Sequence, residues 1–269
     1  MTATQPEARR IVVTMGAAMA GRTPSLATAV RLAGSLGAEI DGVFIEDINL
    51  IQLAGLSFLR ELSPASLAEA AVSTERMERQ LRAMARQART LLEQEARKLD
   101  VRCSFQVWRG RTETDALMRA FTTDILSLCR LSALASCRQW ARASSRLQAS
   151  SETIASIGVL AGLSEPAARA VTTAARIARD LGASLSVFLP ESGVGKVLRL
   201  EEKVRALLEP LEQPALIVPL GGSDLQRLVQ AAHAAGAGLL ITEAEYALLQ
   251  PGGLERFQEA LDRPVLLVR

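Results

Sequence analysis

At 269 residues, 49% apolar and only 3% aromatic, the chain is long enough for two domains of about 120–150 residues each, with cores of Ala, Leu and Val. Its net charge is +2, with 20 Lys+Arg against 15 Asp+Glu in residues 1–150 and 11 against 14 in the rest, an imbalance too small to argue for a nucleic-acid partner. Cys103, Cys129 and Cys137 lack metal-site spacing and read as buried thiols in a reducing compartment. The first ten residues have no apolar signal core and no apolar run approaches the ~20 residues that span a bilayer, so a cytoplasmic protein without membrane insertion is expected.

The chain opens with a strand over 11–15. Gly16 follows, Thr23 and Pro24 cap a helix that stops at Gly37, and the next strand covers 39–45. Residues 48–62 (INLIQLAGLSFLREL) are unusually apolar for a connection. Leu50, Ile51, Leu53, Leu56, Phe58 and Leu59 cannot all face one core from a helix, so the segment marks a contact site or packs on the chain's own next helix. That helix is expected from Ser63-Pro64 to about Leu99. Its stripe of Met77, Leu81, Met84, Ala88, Leu92, Ala96 and Leu99 is heptad-like and long for a crossover. A strand over 101–108, a helix over 112–121 and a strand over 124–129 follow. Residues 131–151 are rich in Ser, Arg and Ala and contain no closing apolar strand. The first domain therefore ends near residue 150, one strand short.

The second half begins with a strand around Ile157, Val159 and Leu160. Ser164 is an N-cap with Pro166 in the first turn, and Ala167, Ala170, Val171, Ala174, Ile177, Ala178 and Leu181 mark the buried face of a helix that Gly182 stops. Leu185 to Leu189 form the next strand, and this strand, helix and strand make a right-handed βαβ unit of a parallel sheet. A helix over 196–208, a strand over 215–220, a helix over 224–235 and a strand over 238–242 come next. A final helix opens at Pro251-Gly252-Gly253, and residues 264–268 (PVLLV) close the sheet.

The two halves echo each other. Residues 29–47 (AVRLAGSLGAEIDGVFIED) lie over residues 174–192 (AARIARDLGASLSVFLPES), matching Ala29, Arg31, Ala33, Leu36, Gly37 and Ala38 to Ala174, Arg176, Ala178, Leu181, Gly182 and Ala183. A repeat of this length points to tandem domains rather than a solenoid. The repeated strand, helix, Leu-Gly-Ala and strand, the Gly that ends the third strand, and the closing residues 262–269 (DRPVLLVR) resemble the universal stress protein family over nearly the whole chain. The resemblance implies two tandem doubly wound α/β domains, residues 1–150 and 151–269, of the universal-stress-protein and adenine-nucleotide-hydrolase type. Each would carry a parallel sheet of order 3-2-1-4-5, the first domain lacking its fifth strand.

Nucleotide-binding members of that family carry an acidic residue at the end of the first strand and a glycine-rich loop after the fourth. Here the strand ends are Thr14-Met15-Gly16 and Leu160-Ala161-Gly162. The loops read CRLSALASCRQWARASS (129–145), without glycine, and TEAEYALLQPGGLERF (242–257), where Glu243 and Glu245 stand at the phosphate approach. Gly162, Gly252 and Gly253 remain as cofactor-binding candidates. The expected protein has no catalytic residues, no metal and no cofactor. It is a non-enzymatic stress module acting through protein or small-ligand binding, the alternative being an ATP- or AMP-binding sensor with weak or no ATPase activity.

Three further features read as structural. Ser192 to Lys196 lacks the first glycine and the final Ser/Thr of a phosphate loop. His233, the only histidine, has no nucleophile partner. Arg138, Arg142 and Arg146 beside Trp140 form a solvated face or a phosphate contact. A homodimer is expected through Leu50, Leu53, Leu56, Phe58, Met77, Leu81 and Met84.

Overall fold

Strand β1 (Arg10–Gly16) has a simple alternation: Ile11, Val13 and Met15 enter one hydrophobic layer and Val12 the other, all of them buried. The computed structural model describes residues 10–16, 26–56, 60–62, 69–71, 73–110, 125–128, 154–248, 260 and 264–269. Within it β1 pairs in parallel with β2 (Glu39–Asp47) and β6 (Ile125–Leu128), and β2 pairs in parallel with β5 (Cys103–Gly110). The second half supplies β7 (Ser156–Leu160), β8 (Ser184–Leu189), β9 (Ala215–Pro219), β10 (Leu239–Glu243) and β11 (Val265–Val268), again parallel among themselves.

These strands form one sheet rather than two. The order β5-β2-β1-β6-β11-β10-β7-β8-β9 is continuous, with an antiparallel seam where Leu128 faces Val265 and Ile125 faces Val268. The second half has the full order 3-2-1-4-5. Among the described residues the first half contributes four strands in the order 3-2-1-4, and β11 occupies the place beside its fourth strand. The inner edge at β6 is thus closed by the chain's own last strand, without a second subunit.

One layer of helices covers a single face of this sheet. It contains α1 (Leu26–Leu36), α3 (Thr74–Lys98), α4 (Glu165–Leu181) and α5 (Val194–Leu208), and α1 touches α4 across the seam. The buried cluster beneath them runs from Ile11, Val30 and Leu92 in the first half to Val171, Leu200 and Leu266 in the second. On the other face α6 (Leu225–Ala234) buries Leu228 and Ala232 against Leu160, Phe188 and Leu240. The repeat is visible in backbone geometry: Gly37 and Gly182 both end their helices with φ near +60°, a conformation that favours glycine.

Several element bounds differ from the sequence expectation. A two-stranded antiparallel ribbon, β3 (Arg60–Leu62) with β4 (Glu69–Ala71), lies where the long helix was expected to begin. That helix starts at Thr74, capped by the Ser73 hydroxyl, which accepts the Arg76 N–H at 3.2 Å. The strand expected at 101–108 covers Cys103–Gly110, and the helix expected from 196 begins at Val194. A short helix, α2 (Ile48–Ala54), follows β2 and packs on α3, and α7 (Ala244–Leu248) follows β10. Cys103 is exposed rather than buried, because β5 is an edge strand of the sheet. The helices expected at 112–121 and after 251, the domain boundary near 150, Cys129, Cys137 and the group around Trp140 lie outside the described residues.

Candidate functional site

In a doubly wound sheet the natural ligand crevice opens beyond the carboxyl ends of the two strands where the winding reverses. In the second half these are β7 and β10. Gly162 lies just past β7, where a Cβ would come within 2.9 Å of the Ala167 Cβ, so only glycine lets the chain turn this tightly into α4. Ser164 then caps α4, its hydroxyl accepting the Ala167 N–H at 3.0 Å.

The same hydroxyl donates to a carboxylate oxygen of Glu243, the last residue of β10. A carboxylate here faces the positive end of a 17-residue helix, where a phosphate would otherwise sit. Other polar groups along this rim also bond to the protein itself. The Lys203 ammonium donates to the Leu163 carbonyl at 2.8 Å. The Arg227 guanidinium donates to the Leu220 and Gly221 carbonyls at 3.0 and 2.9 Å. The Tyr246 hydroxyl donates to the Ser223 carbonyl at 2.9 Å, and burial, followed by the nearby Asp224 charge, pushes its pKa up to about 12.

Of the residues expected to bind a cofactor, Gly162 therefore lies in the crevice, beside a carboxylate. Gly252 and Gly253 lie outside the described residues. The sequence placed Ser164 as a cap and Glu243 at the phosphate approach, but not their bond, which joins positions 79 residues apart. Nothing in the local patterns of Lys203, Arg227 or Tyr246 signals their carbonyl partners. Gly193, with φ 96°, precedes α5 and leaves Lys196 exposed on its first turn, a glycine turn rather than a phosphate loop. His233 is exposed in the last turn of α6.

The residues expected at a subunit contact divide in two. Leu53 and Leu56 are 45% and 39% exposed, whereas Leu50 and Met77 are partly covered. Leu81 and Met84 correct the expectation: at 1% and 6% exposed they belong to the chain's own core beneath α3 and have no surface to offer a second subunit. The apolar stripe of this helix faces the sheet. Phe58 lies outside the described residues.

Among the described residues no group of three or more His, Cys, Asp or Glu side chains is arranged to hold a metal, and no helix is long and apolar enough to cross a membrane. A second polar cluster lies at the far end of the sheet. Arg109 on β5 donates to Glu46 of β2 at 3.1 and 3.0 Å and reaches Glu78 of α3 at 3.2 Å, and its hydrogen bond to Glu46 raises its pKa further. Nearer the start of β2 and on the opposite face of the sheet, buried Asp41 accepts from the Ser104 hydroxyl at 2.7 Å and the Gln106 amide at 3.2 Å. Both groups tie the edge strand β5 to its neighbour β2.

No protein-family model and no curated protein matches the sequence. Solved structures do. A universal stress protein from Archaeoglobus fulgidus DSM 4304 aligns over 96% of this chain and 98% of its own, with TM-score 0.55 and 8% identity. A universal stress protein from Pseudomonas aeruginosa UCBPP-PA14 aligns over 97% and 93%, with TM-score 0.49 and 13% identity. A universal stress protein in complex with cAMP aligns with 42% of this chain over 95% of its own, with TM-score 0.37 and 19% identity. On the first of these likenesses, and on the strand order of both halves, the chain has the universal stress protein fold along essentially its whole length.

Proposed function

We propose that the chain is a non-enzymatic, universal-stress-protein-like tandem module that acts in a stress response through protein or small-ligand binding, and that its second half has lost ATP binding. The observation that carries this reading is the Ser164 to Glu243 hydrogen bond. A fixed negative charge at the start of α4 repels a polyphosphate and consumes the hydroxyl that would greet it. The bonds of Lys203 and Arg227 to backbone carbonyls add to the closure. Isothermal titration of the full chain with ATP, ADP and AMP at millimolar concentration tests it. The expected result is no binding heat and no thermal shift; saturable heat with any of the three overturns it and favours the nucleotide sensor.

In the same reading the protein works in the cytoplasm as a homodimer, joined through exposed side chains of α2 and the turn that follows it, chiefly Leu53 and Leu56. Sedimentation at micromolar protein should give a dimer that becomes a monomer in the Leu53→Ser/Leu56→Ser variant. A wild-type monomer removes the dimer and leaves the rest of the proposal standing.

A further inference from the structure

The outer surface of α3 carries a feature that neither the core nor the crevice uses. Arg76, Arg79, Arg82, Arg86 and Arg89 follow one another at spacings of three, three, four and three, and all five are exposed. On an α-helix this spacing keeps them in one ridge about 20 Å long. Every adjacent pair in the ridge is a like-charge neighbour of the kind that destabilises a helix. The available carboxylates only partly relieve this. Glu78 takes Arg82 at 3.2 Å but is shared with Arg109, and Glu93 takes Arg89 at 2.8 Å. Among the described residues no carboxylate pairs with Arg79 or Arg86.

The opposite face of α3 is buried through Leu81, Met84, Ala85, Ala88, Leu92 and Ala96, so the helix is held rigid against the sheet with its ridge outward. Small side chains, Ala83 and Thr90, lie beside the ridge and leave room for close approach. Guanidinium groups pair with carboxylates through two parallel hydrogen bonds, which a lysine ridge would not do.

We infer that this ridge docks an acidic helical segment of a partner protein. Charge complementarity selects that occupant: carboxylates repeated at three- and four-residue spacing along one face of a helix form a negative ridge to lie along the arginines. Glu75, Glu78 and Glu93 border the ridge, and they would oppose a continuous phosphate backbone while discrete carboxylates can avoid them. The inference rests on the partner-binding reading above, and it stands or falls separately from the nucleotide titration.

The test uses the full chain and a labelled alanine-based helix about 20 Å long with glutamate at alternating three- and four-residue spacing. A scrambled peptide of equal charge, a single-stranded DNA oligonucleotide and phosphatidylserine vesicles serve as competitors. Anisotropy at low salt should show the ordered helix binding about tenfold or more tightly than the scrambled one, with affinity falling as salt rises. Arg79→Gln/Arg86→Gln should weaken that binding about tenfold or more while leaving the melting temperature unchanged or raised, since the change relieves like-charge neighbours. Equal binding of the two peptides, equal binding by the variant, no binding by the wild type, or tighter binding of DNA or vesicles would each overturn the proposal.

Discussion

Tyr246 is the only tyrosine in the chain, so its ionisation can be followed without interference from another phenol. Its hydroxyl holds the Ser223 carbonyl, and burial keeps the neutral form favoured up to about 12. The unfolded chain gives up this proton near the ordinary value of about 10. Between those two values the unfolded state binds fewer protons than the folded one, so stability is full below the lower value and falls as pH rises through the window. The phenolate absorbance band of the folded protein should therefore appear with a midpoint near 12, and Tyr246→Phe should flatten the alkaline loss of stability measured in urea. A midpoint near the unfolded value would mean that α7 does not cover the rim of the crevice. On the same rim, the Ser164 hydroxyl both caps α4 and holds Glu243, so one side chain sets helix start and site charge together.

Elements defined by local chemistry were legible in the sequence. Ser164 and Asp224 cap the helices they were expected to open, and the Leu-Gly-Ala turns fall where both repeats put them. The error lies in residues 69–71. Glu-Ala-Ala reads as helix because alanine and glutamate are strong helix formers, yet these residues pair with Arg60–Leu62 as β4. Backbone pairing between separate segments has no trace in propensity. Long-range packing was equally hidden. A Cβ on Gly42 would come within 2.4 Å of a Leu92 methyl and 2.8 Å of the Met15 terminal methyl, so this position of β2 is fixed by a helix fifty residues away. The apolar stripe of α3 holds from Leu81 to Ala96, whereas Leu99, past the helix end, is exposed, and spacing alone does not say whether such a stripe meets the chain's own sheet or another subunit. Met84 and Leu92, which share one buried cluster with Ile40 and Phe44 of β2, show that it meets the sheet. The candidate site was half legible: the absence of a glycine-rich phosphate loop and the acidic residue at position 243 are local facts, whereas its bond to Ser164 is a product of topology.

At the scale of the whole molecule the seam between β6 and β11 decides how the repeat behaves. Two domains with separate sheets could melt separately, but here one sheet and one buried cluster cross from half to half. Leu266 sits at this junction: it is fully buried, pairs in register with Ser127 of the first half and packs in the shared cluster. Truncating a buried leucine to alanine costs about 2–5 kcal/mol through lost burial and the cavity left behind. In a single cooperative unit of this size that loss lowers the melting temperature on the order of 10 °C. Both tryptophans, Trp108 and Trp140, belong to the first half by sequence, whereas Leu266 lies on the last strand of the second. Tryptophan emission thus reports on the half that does not carry the substitution, and far-ultraviolet circular dichroism reports on both. Leu266→Ala should shift the two transitions together and by the same amount. If the emission transition stays at its wild-type temperature while the dichroism splits in two, the seam does not couple the halves, and the continuous sheet is a contact between independently stable domains.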